Sequence, residues 1–280
     1  MQDAIVLQGA TKSYGDTAAL DSVDLCVQQE AFFALLGPNG AGKTTMVKVM
    51  TTLARPDAGK VRIAGYDPFD AWEAVQRRIG VVLQENALDP EVTAEEQLIF
   101  QGRLFGMSKN EAKTRAAELL EAFALGTDPS PFSEKKVRGE VGKKAKTLSG
   151  GNRRRLDCAL ALVHRPEILF LDEPTTGMDP HARKVFWSAI SRLNRSEGVT
   201  IFLTTQYLEE AERHAQSMAV VLEGRLRFCG SVAAFKKQVH PDKEQSLEEG
   251  YIAFIDHLLE ASAGKKTATK AKKKAAKETE

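Results

Sequence analysis

Three cysteines in 280 residues, none in a CxxC pair, are too few and too scattered for a disulfide framework or a cysteine-built zinc site. Cys26, Cys158 and Cys229 fit a reducing compartment in which thiols stay unpaired. Long apolar runs are also missing. No stretch approaches the roughly 18–20 residues that span a bilayer, so any membrane path would have to come from another polypeptide. The start, Met1-Gln2-Asp3-Ala4, has neither the basic nor the apolar region of a secretory leader. Net charge is almost absent at +1, and it is uneven: residues 265–280 carry seven Lys and two Glu, which leaves the remainder at −4. The body therefore has no basic bias toward nucleic acid, and no specific nucleic acid is expected as a partner.

What is present is an ordinary globular composition, 42% hydrophobic and 28% charged. A chain of this length can bury roughly 70–75% of the surface that its unfolded form exposes. Short strand patterns occur at 4–7, 23–27, 61–63 and 79–83, and Phe32–Leu36 is a continuous apolar run suited to a strand buried on both faces. A Gly-rich turn and a helix at 44–53 follow that run. From residue 85 the texture becomes helical, with patterns at 92–107, 109–125 and 152–164 around a polar connection at 126–147. Strand texture returns at 168–171, 200–204 and 218–222 with helices between. The alternation predicts a mostly parallel sheet flanked by helices and interrupted by a helical insertion. The Lys/Ala-rich end from residue 264 is low in complexity and cannot form its own core.

Gly37-Pro38-Asn39-Gly40-Ala41-Gly42-Lys43-Thr44-Thr45 matches the phosphate-cradling pattern G-x-x-x-x-G-K-[ST], and it lies between a buried strand and a helix. Glycines let the backbone curl so that successive amides converge on phosphate oxygens, and the helix points its positive end at the same anion. Lys43 would place a charge at the β- and γ-phosphates, and the Thr44 hydroxyl would ligate Mg²⁺. The pattern alone says nucleotide binder, a class that includes kinases and GTPases. Ile168-Leu169-Phe170-Leu171-Asp172-Glu173 is an apolar strand ending in two carboxylates. A parallel strand delivers them to the same sheet edge as the cradle. Asp172 is then placed to orient Mg²⁺ and its waters, and Glu173 to polarise an attacking water.

Leu148-Ser149-Gly150-Gly151-Asn152 resembles the signature sequence of ATP-binding cassette proteins, about 20 residues before the Asp-Glu strand. The resemblance covers about residues 5–255. It implies an α/β P-loop NTPase core with a mostly parallel sheet, an N-terminal antiparallel β region and an inserted α-helical subdomain. The expected divisions are 1–84 with 165–235 as the catalytic core and 85–164 as the helical subdomain. A C-terminal extension at 236–263 and a Lys-rich tail at 264–280 complete them. The resemblance also implies that Ser149, Gly150 and Gly151 cap the γ-phosphate of an ATP held by a second nucleotide-binding subunit, most simply a second copy. Tyr14 resembles the aromatic that stacks on adenine, and Gln84 the glutamine that contacts Mg²⁺ or its water. Asp179, in Gly177-Met178-Asp179-Pro180, resembles part of the loop that communicates across the dimer. Gln206 stands where most cassettes carry a switch histidine; it cannot titrate, but its amide can still donate to a γ-phosphate oxygen.

The wording of the cradle, of Ser-Gly-Gly-Asn-Arg-Arg-Arg-Leu-Asp and of Thr-Thr-Gln-Tyr-Leu-Glu-Glu-Ala is similar to bacterial daunorubicin-resistance-type exporter ATPases. That resemblance implies an ATP- and Mg²⁺-dependent ATPase at the cytoplasmic face of the membrane, partnered by a separate transmembrane permease that exports drugs, lipids or polysaccharides. The alternative is a non-transport cassette acting on ribosomes or nucleic acid. The Lys-rich stretch of the connection, Lys135-Lys136-Val137-Arg138 with Lys143, Lys144 and Lys146, is either solvated or in contact with the permease or anionic lipid, and the tail is either solvated or in contact with a membrane surface or RNA.

Overall fold

A computed structural model describes residues 2–84, 87–125, 142–239, 245–258 and 260. Its centre is a six-stranded sheet. In spatial order the strands are β5 (Ile79–Val82), β6 (Ile168–Asp172), β7 (Thr200–Thr204), β3 (Phe32–Leu36), β8 (Ser217–Leu222) and β9 (Arg225–Ser231). Neighbours from β5 to β8 are parallel, and β9 returns antiparallel to β8. Every residue of β3, β6 and β7 is buried, which is why these segments read as unbroken apolar runs rather than alternations. Alternation survives in where the side chains go: Phe33 and Leu35 join one core cluster, whereas Phe32 joins another.

The first cluster lies between this sheet and an antiparallel one made of β1 (Asp3–Tyr14), β2 (Thr17–Gln28) and β4 (Ala58–Ile63), in the order β2-β1-β4. Its interior holds α1 (Lys43–Met50) and the stacked rings of Phe33 and Phe202, 5.4 Å apart. The two short strand patterns near the start are thus parts of one long, bulged hairpin. The bulges break the apolar alternation, which shortens what periodicity alone can detect. The short helix α2 (Trp72–Gln76) and the edge strand β9 were not anticipated from the sequence. The exposed–intermediate alternation of β9 carries too little apolar content to register.

The opposite face carries the helical insertion and α6 (Pro180–Glu197). Helices α3 (Ala94–Leu104) and α4 (Lys109–Ala122) each start at a capping box, Thr93 with Glu96 and Ser108 with Glu111, which fixes both starts by satisfying orphan amides. Helix α5 (Gly150–Ala161) completes the insertion. Buried Arg115 of α4 ties it to the core, with Nη1 and Nη2 donating to the Glu197 carboxylate at 2.7 and 2.8 Å and Nη2 also donating to the Leu162 carbonyl at 2.9 Å. Lys144 and Lys146 both donate to Glu91, at 3.1 and 2.7 Å, so these two cations are held within the subdomain. Lys135, Lys136, Arg138 and the Lys-rich tail lie outside the described residues.

Helix α7 (Leu208–His214) leads into β8, and α8 (Val232–Val239) with the helix at 247–258 packs on the β3/β8 end through Phe235 and Leu247. The expected boundary at 235/236 therefore falls inside α8. Glu212 of α7 holds this end, accepting from Lys236 Nζ at 2.7 Å and from the Leu247 amide at 3.0 Å.

His214 packs against both the Phe32 and Trp187 rings, at 5.9 and 5.0 Å, with Ser191 Oγ 3.3 Å from Nδ1. Burial first, then neighbouring Arg213, pushes its pKa from 6.5 down to about 4. The unfolded chain takes up this proton near 6.5, and the folded chain does not until about 4. This site therefore removes stability as pH falls through that window. In urea titrations at pH 7 and 4.5, His214→Phe is expected to show a smaller loss of midpoint than the parent protein; equal losses would contradict the assignment.

Candidate active site

Strand β3 ends at Leu36 and the chain turns at once into the loop 37–42. Helix α1 begins at Lys43 behind an N-cap, Gly42, that has no side chain to satisfy the first amides, and its first turn carries no acid. Those N–H groups are left for an anionic ligand. The loop is held from outside: the Gly224 amide, in the β8–β9 turn, donates to the Ala41 carbonyl at 3.0 Å. Lys43 is buried, and its Nζ donates to the Gly37 and Pro38 carbonyls at 2.7 and 3.2 Å, curling the loop around its own ammonium. Burial pushes the Lys43 pKa below its ordinary value, and the negative charges of Glu173 and Asp172 oppose that shift. Pro38, Asn39, Gly40 and Thr44 are exposed along the loop and the helix start, with Thr45 half-buried behind them.

The two carboxylates arrive from β6 at the same edge. Thr44 Oγ1 donates to Asp172 Oδ2 at 3.3 Å, and the Thr204 hydroxyl at the end of β7 donates to Asp172 Oδ1. Both Asp172 oxygens are thus occupied, in a residue only 2% exposed. Glu173 is different. Its backbone takes φ +47°, a left-handed conformation unusual for a non-glycine residue, and its amide donates to Thr204 O at 2.9 Å and Thr204 Oγ1 at 3.2 Å. Among the described residues no hydrogen bond or ion pair engages its carboxylate. That side chain lines a cavity of about 360 Å³ shared with Gln84, Gly150, Arg154 and Gly177.

Gln84 is exposed just beyond β5, which pairs with β6. Ser149 caps α5, its Oγ accepting from the Asn152 amide at 3.2 Å, and Gly150 brings that helix start to the rim of the same cavity. Asn152 has a local task, its Oδ1 accepting from Arg155 Nη2. Asp179 N-caps α6, accepting from the His181 and Ala182 amides at 2.9 Å each. Gln206 is exposed on the loop after β7, a loop closed by the Tyr207 amide donating to Thr205 Oγ1 at 2.9 Å. Tyr14 lies at the β1–β2 hairpin tip with 51% of its surface exposed, and Ala19 on the same hairpin abuts Gly42.

Three further residues organise the site. Thr204 bridges Asp172 and Glu173. Buried Glu210 accepts from Thr175 Oγ1 at 2.5 Å, Thr205 Oγ1 at 2.9 Å and Trp187 Nε1 at 3.0 Å, tying the Gln206 loop to the segment after Glu173. Arg154 reaches the backbone on both sides of Glu173. The only sequence signal for Thr204 was a polar residue closing an apolar strand. Glu210 and Arg154 stand among charged neighbours in the sequence, which gives no sign that either is buried.

Residues 20–176 match the family described as ABC transporter. The chain belongs to that family. The cassette is 44% identical over 241 residues to the daunorubicin resistance ATP-binding protein DrrA3 of Streptomyces coeruleorubidus, covering 86% of this chain and 72% of that protein. It is 41% identical over 232 residues to the Nod factor export ATP-binding protein I of Paraburkholderia xenovorans, covering 82% of this chain and 72% of that protein. Among solved structures it resembles the dimeric post-hydrolysis state of the ATP-binding cassette MJ0796 bound to ADP and Pi, with a TM-score of 0.68 and 27% identity over 81% of this chain and 98% of that one. The protein is thus an ABC transporter ATPase, an ATP-binding subunit that hydrolyses ATP. The expected α/β P-loop class agrees with the observed sheets. No helix among the described residues is long and apolar enough to cross a membrane.

Proposed function

We propose that this cassette powers an exporter, acting as a head-to-tail pair at the cytoplasmic face of a membrane beneath a separate permease. The observation that carries the catalytic part is the meeting of Thr44 and Asp172, 128 positions apart, at 3.3 Å beside a Glu173 whose carboxylate is unengaged. The exporter part is supported by relatives named for daunorubicin resistance and Nod factor export, and these favour transport over action on ribosomes or nucleic acid.

In this reading, amides of loop 37–42 and the first turn of α1 receive the phosphates, Lys43 adds its charge at the β- and γ-positions, and Tyr14 stacks on adenine. The Mg²⁺ fit rests on donor chemistry: Thr44 Oγ1, Asp172 Oδ2 and the nearby Gln84 amide are hard oxygens suited to that ion. Among the described residues no group of three His, Cys, Asp or Glu forms a cage, so the ion would be shared with phosphate oxygens and water. When bound, Mg²⁺ neutralises charge that develops on the phosphates. Glu173 then accepts the proton of the attacking water, and Gln206 donates to a γ-phosphate oxygen. Ser149, Gly150 and Gly151 close over the ATP of the other subunit, with Asp179 in the loop that faces it. Loss of the γ-phosphate removes what both faces hold, and the pair opens.

The permease would dock in a groove of about 430 Å³ between the core and the insertion, lined by Leu53, Ile79, Leu83, Phe105, Leu160 and His164. Leu53, together with nearby Phe100 and Leu104 on α3, is more than half exposed, a large apolar surface for a protein without a partner there. Affinity purification from membranes is expected to recover a protein with several membrane spans; recovery of ribosomal proteins instead would overturn the transport reading. Gln206→Ala is expected to lower kcat at least tenfold, and Gln206→His to restore turnover while adding an ionisation near pH 6.5 to the rate profile. Unchanged turnover in Gln206→Ala would remove its phosphate-contacting role.

A further inference from the structure

We propose that Arg154 is a positioning residue that holds Glu173 in its catalytic conformation and ties it to the helix that starts at Ser149. The proposal rests on the catalytic reading of Glu173 and extends it. Arg154 lies in the second turn of α5, almost fully buried, and one guanidinium spans three segments. Its Nη2 donates to the Asp172 carbonyl at 3.1 Å and its Nε to the Pro174 carbonyl at 2.9 Å, the carbonyls of the residues on either side of Glu173. Its Nη1 donates to the carbonyl of Leu83, the residue before Gln84, and to Asp157 Oδ2 at 3.3 Å.

A left-handed backbone at a non-glycine residue persists only where its surroundings over-determine it. At Glu173, with φ +47°, the fixing contacts are the Thr204 acceptors on one side and Arg154 on the other. The planar fork of an arginine matches this task, because its donors leave in fixed, divergent directions; a lysine ammonium on one stem reaches one carbonyl well and not all three. Asp157 supplies the buried counter-charge and is itself anchored by the Ala87 amide at 3.5 Å.

The geometry also gives a route between two nucleotide sites. Ser149 and Gly150 begin the helix that carries Arg154, so a shift of that helix start, once it grips the second subunit's γ-phosphate, reaches the Asp172, Pro174 and Leu83 carbonyls directly. Glu173 and Gln84 are set by the same side chain, so general base and cation contact would be aligned together.

The test uses the full chain with Mg-ATP. Arg154→Lys is expected to lower kcat at least 20-fold with KM for ATP within threefold of the parent, because the loop 37–42 makes none of these bonds. In nucleotide-free protein the same variant is expected to lose at least tenfold hydrogen-exchange protection in peptides covering residues 170–178, with α1 peptides unchanged. In a Glu173→Gln background the Arg154→Lys change should cost nothing further in turnover. Should Arg154→Lys fail to fold, Arg154→Met combined with Asp157→Asn removes both buried charges and is read the same way. Unchanged kcat, unchanged protection at 170–178, or a loss of turnover explained by a raised KM or a reduced folded fraction would each overturn the proposal. If Glu173→Gln itself turned over normally in the same assay, the fault would lie with the Glu173 assignment, and Arg154 would have no base to position.

Discussion

Glu173→Gln is expected to reduce ATP turnover by roughly 10²–10⁴-fold, the range that a positioned general base contributes, while ATP affinity stays within threefold of the parent. The division of labour at the end of β6 supports this. Asp172 has both oxygens committed, to Thr44 and Thr204, and can only orient what it holds. Glu173 has a carboxylate that no described hydrogen bond or ion pair engages, at a cavity wide enough for water beside Gln84. Glutamine keeps the size and the tolerance of φ +47° that glutamate has, so stability should barely move, and what is lost is the charge and the proton-accepting oxygen. With both γ-phosphates intact the paired state should persist, so light scattering in ATP should show a dimer that the parent protein loses as it hydrolyses. Single-turnover assays separate chemistry from product release. Normal turnover in this variant, or a lost affinity for ATP, would refute the assignment.

Much of this site was legible because its chemistry is written in contiguous residues. A phosphate cradle needs successive amides, so Gly37 to Thr45 must be adjacent in the chain, and a strand that ends in Asp172-Glu173 must end there to deliver them. The fold was legible where strands are buried on both faces, as in β3, β6 and β7, and indistinct where it is not. The β1–β2 hairpin is interrupted by bulges, and β9 is half-solvated at a sheet edge. What stayed hidden was coupling between distant segments. In Arg153-Arg154-Arg155 the sequence shows three like charges, yet Arg153 is exposed while the next two are buried, with Arg154 bonded to three carbonyls from two other segments. Likewise Glu210 looks like its neighbour Glu209 until the structure places it under Thr175, Thr205 and Trp187. Such roles depend on which residues happen to face each other after folding, and no local spacing encodes them.

Gly42→Ala is expected to be far more damaging than Gly40→Ala, although both glycines belong to the same cradle and both have positive φ. At Gly40, φ is +78° and a Cβ would meet nothing within 4 Å. The change therefore costs only the strain of a left-handed alanine, about 1–2 kcal/mol. At Gly42, φ is +110° and a Cβ would overlap the carbonyl oxygen of Ala19 and lie 3.3 Å from Leu20 Cδ2. Ala19 and Leu20 belong to β2, bonded into the antiparallel sheet, and Gly224, whose amide holds the neighbouring Ala41 carbonyl, is itself packed against Ala19 and accepts from the Asp21 amide. Neither wall can yield cheaply, so backbone strain and overpacking add, to roughly 4 kcal/mol. Relief requires the start of α1 to move, carrying with it the uncapped amides, the Lys43 ammonium and the Thr44 hydroxyl. Thermal denaturation should rank parent, Gly40→Ala and Gly42→Ala in that order. Titration with a fluorescent ATP analogue should show binding lost in Gly42→Ala even at temperatures where the variant is folded. Equal tolerance of the two substitutions would mean that β2 does not set the position of the cradle, and the close approach of Ala19 to Gly42 would have no functional weight.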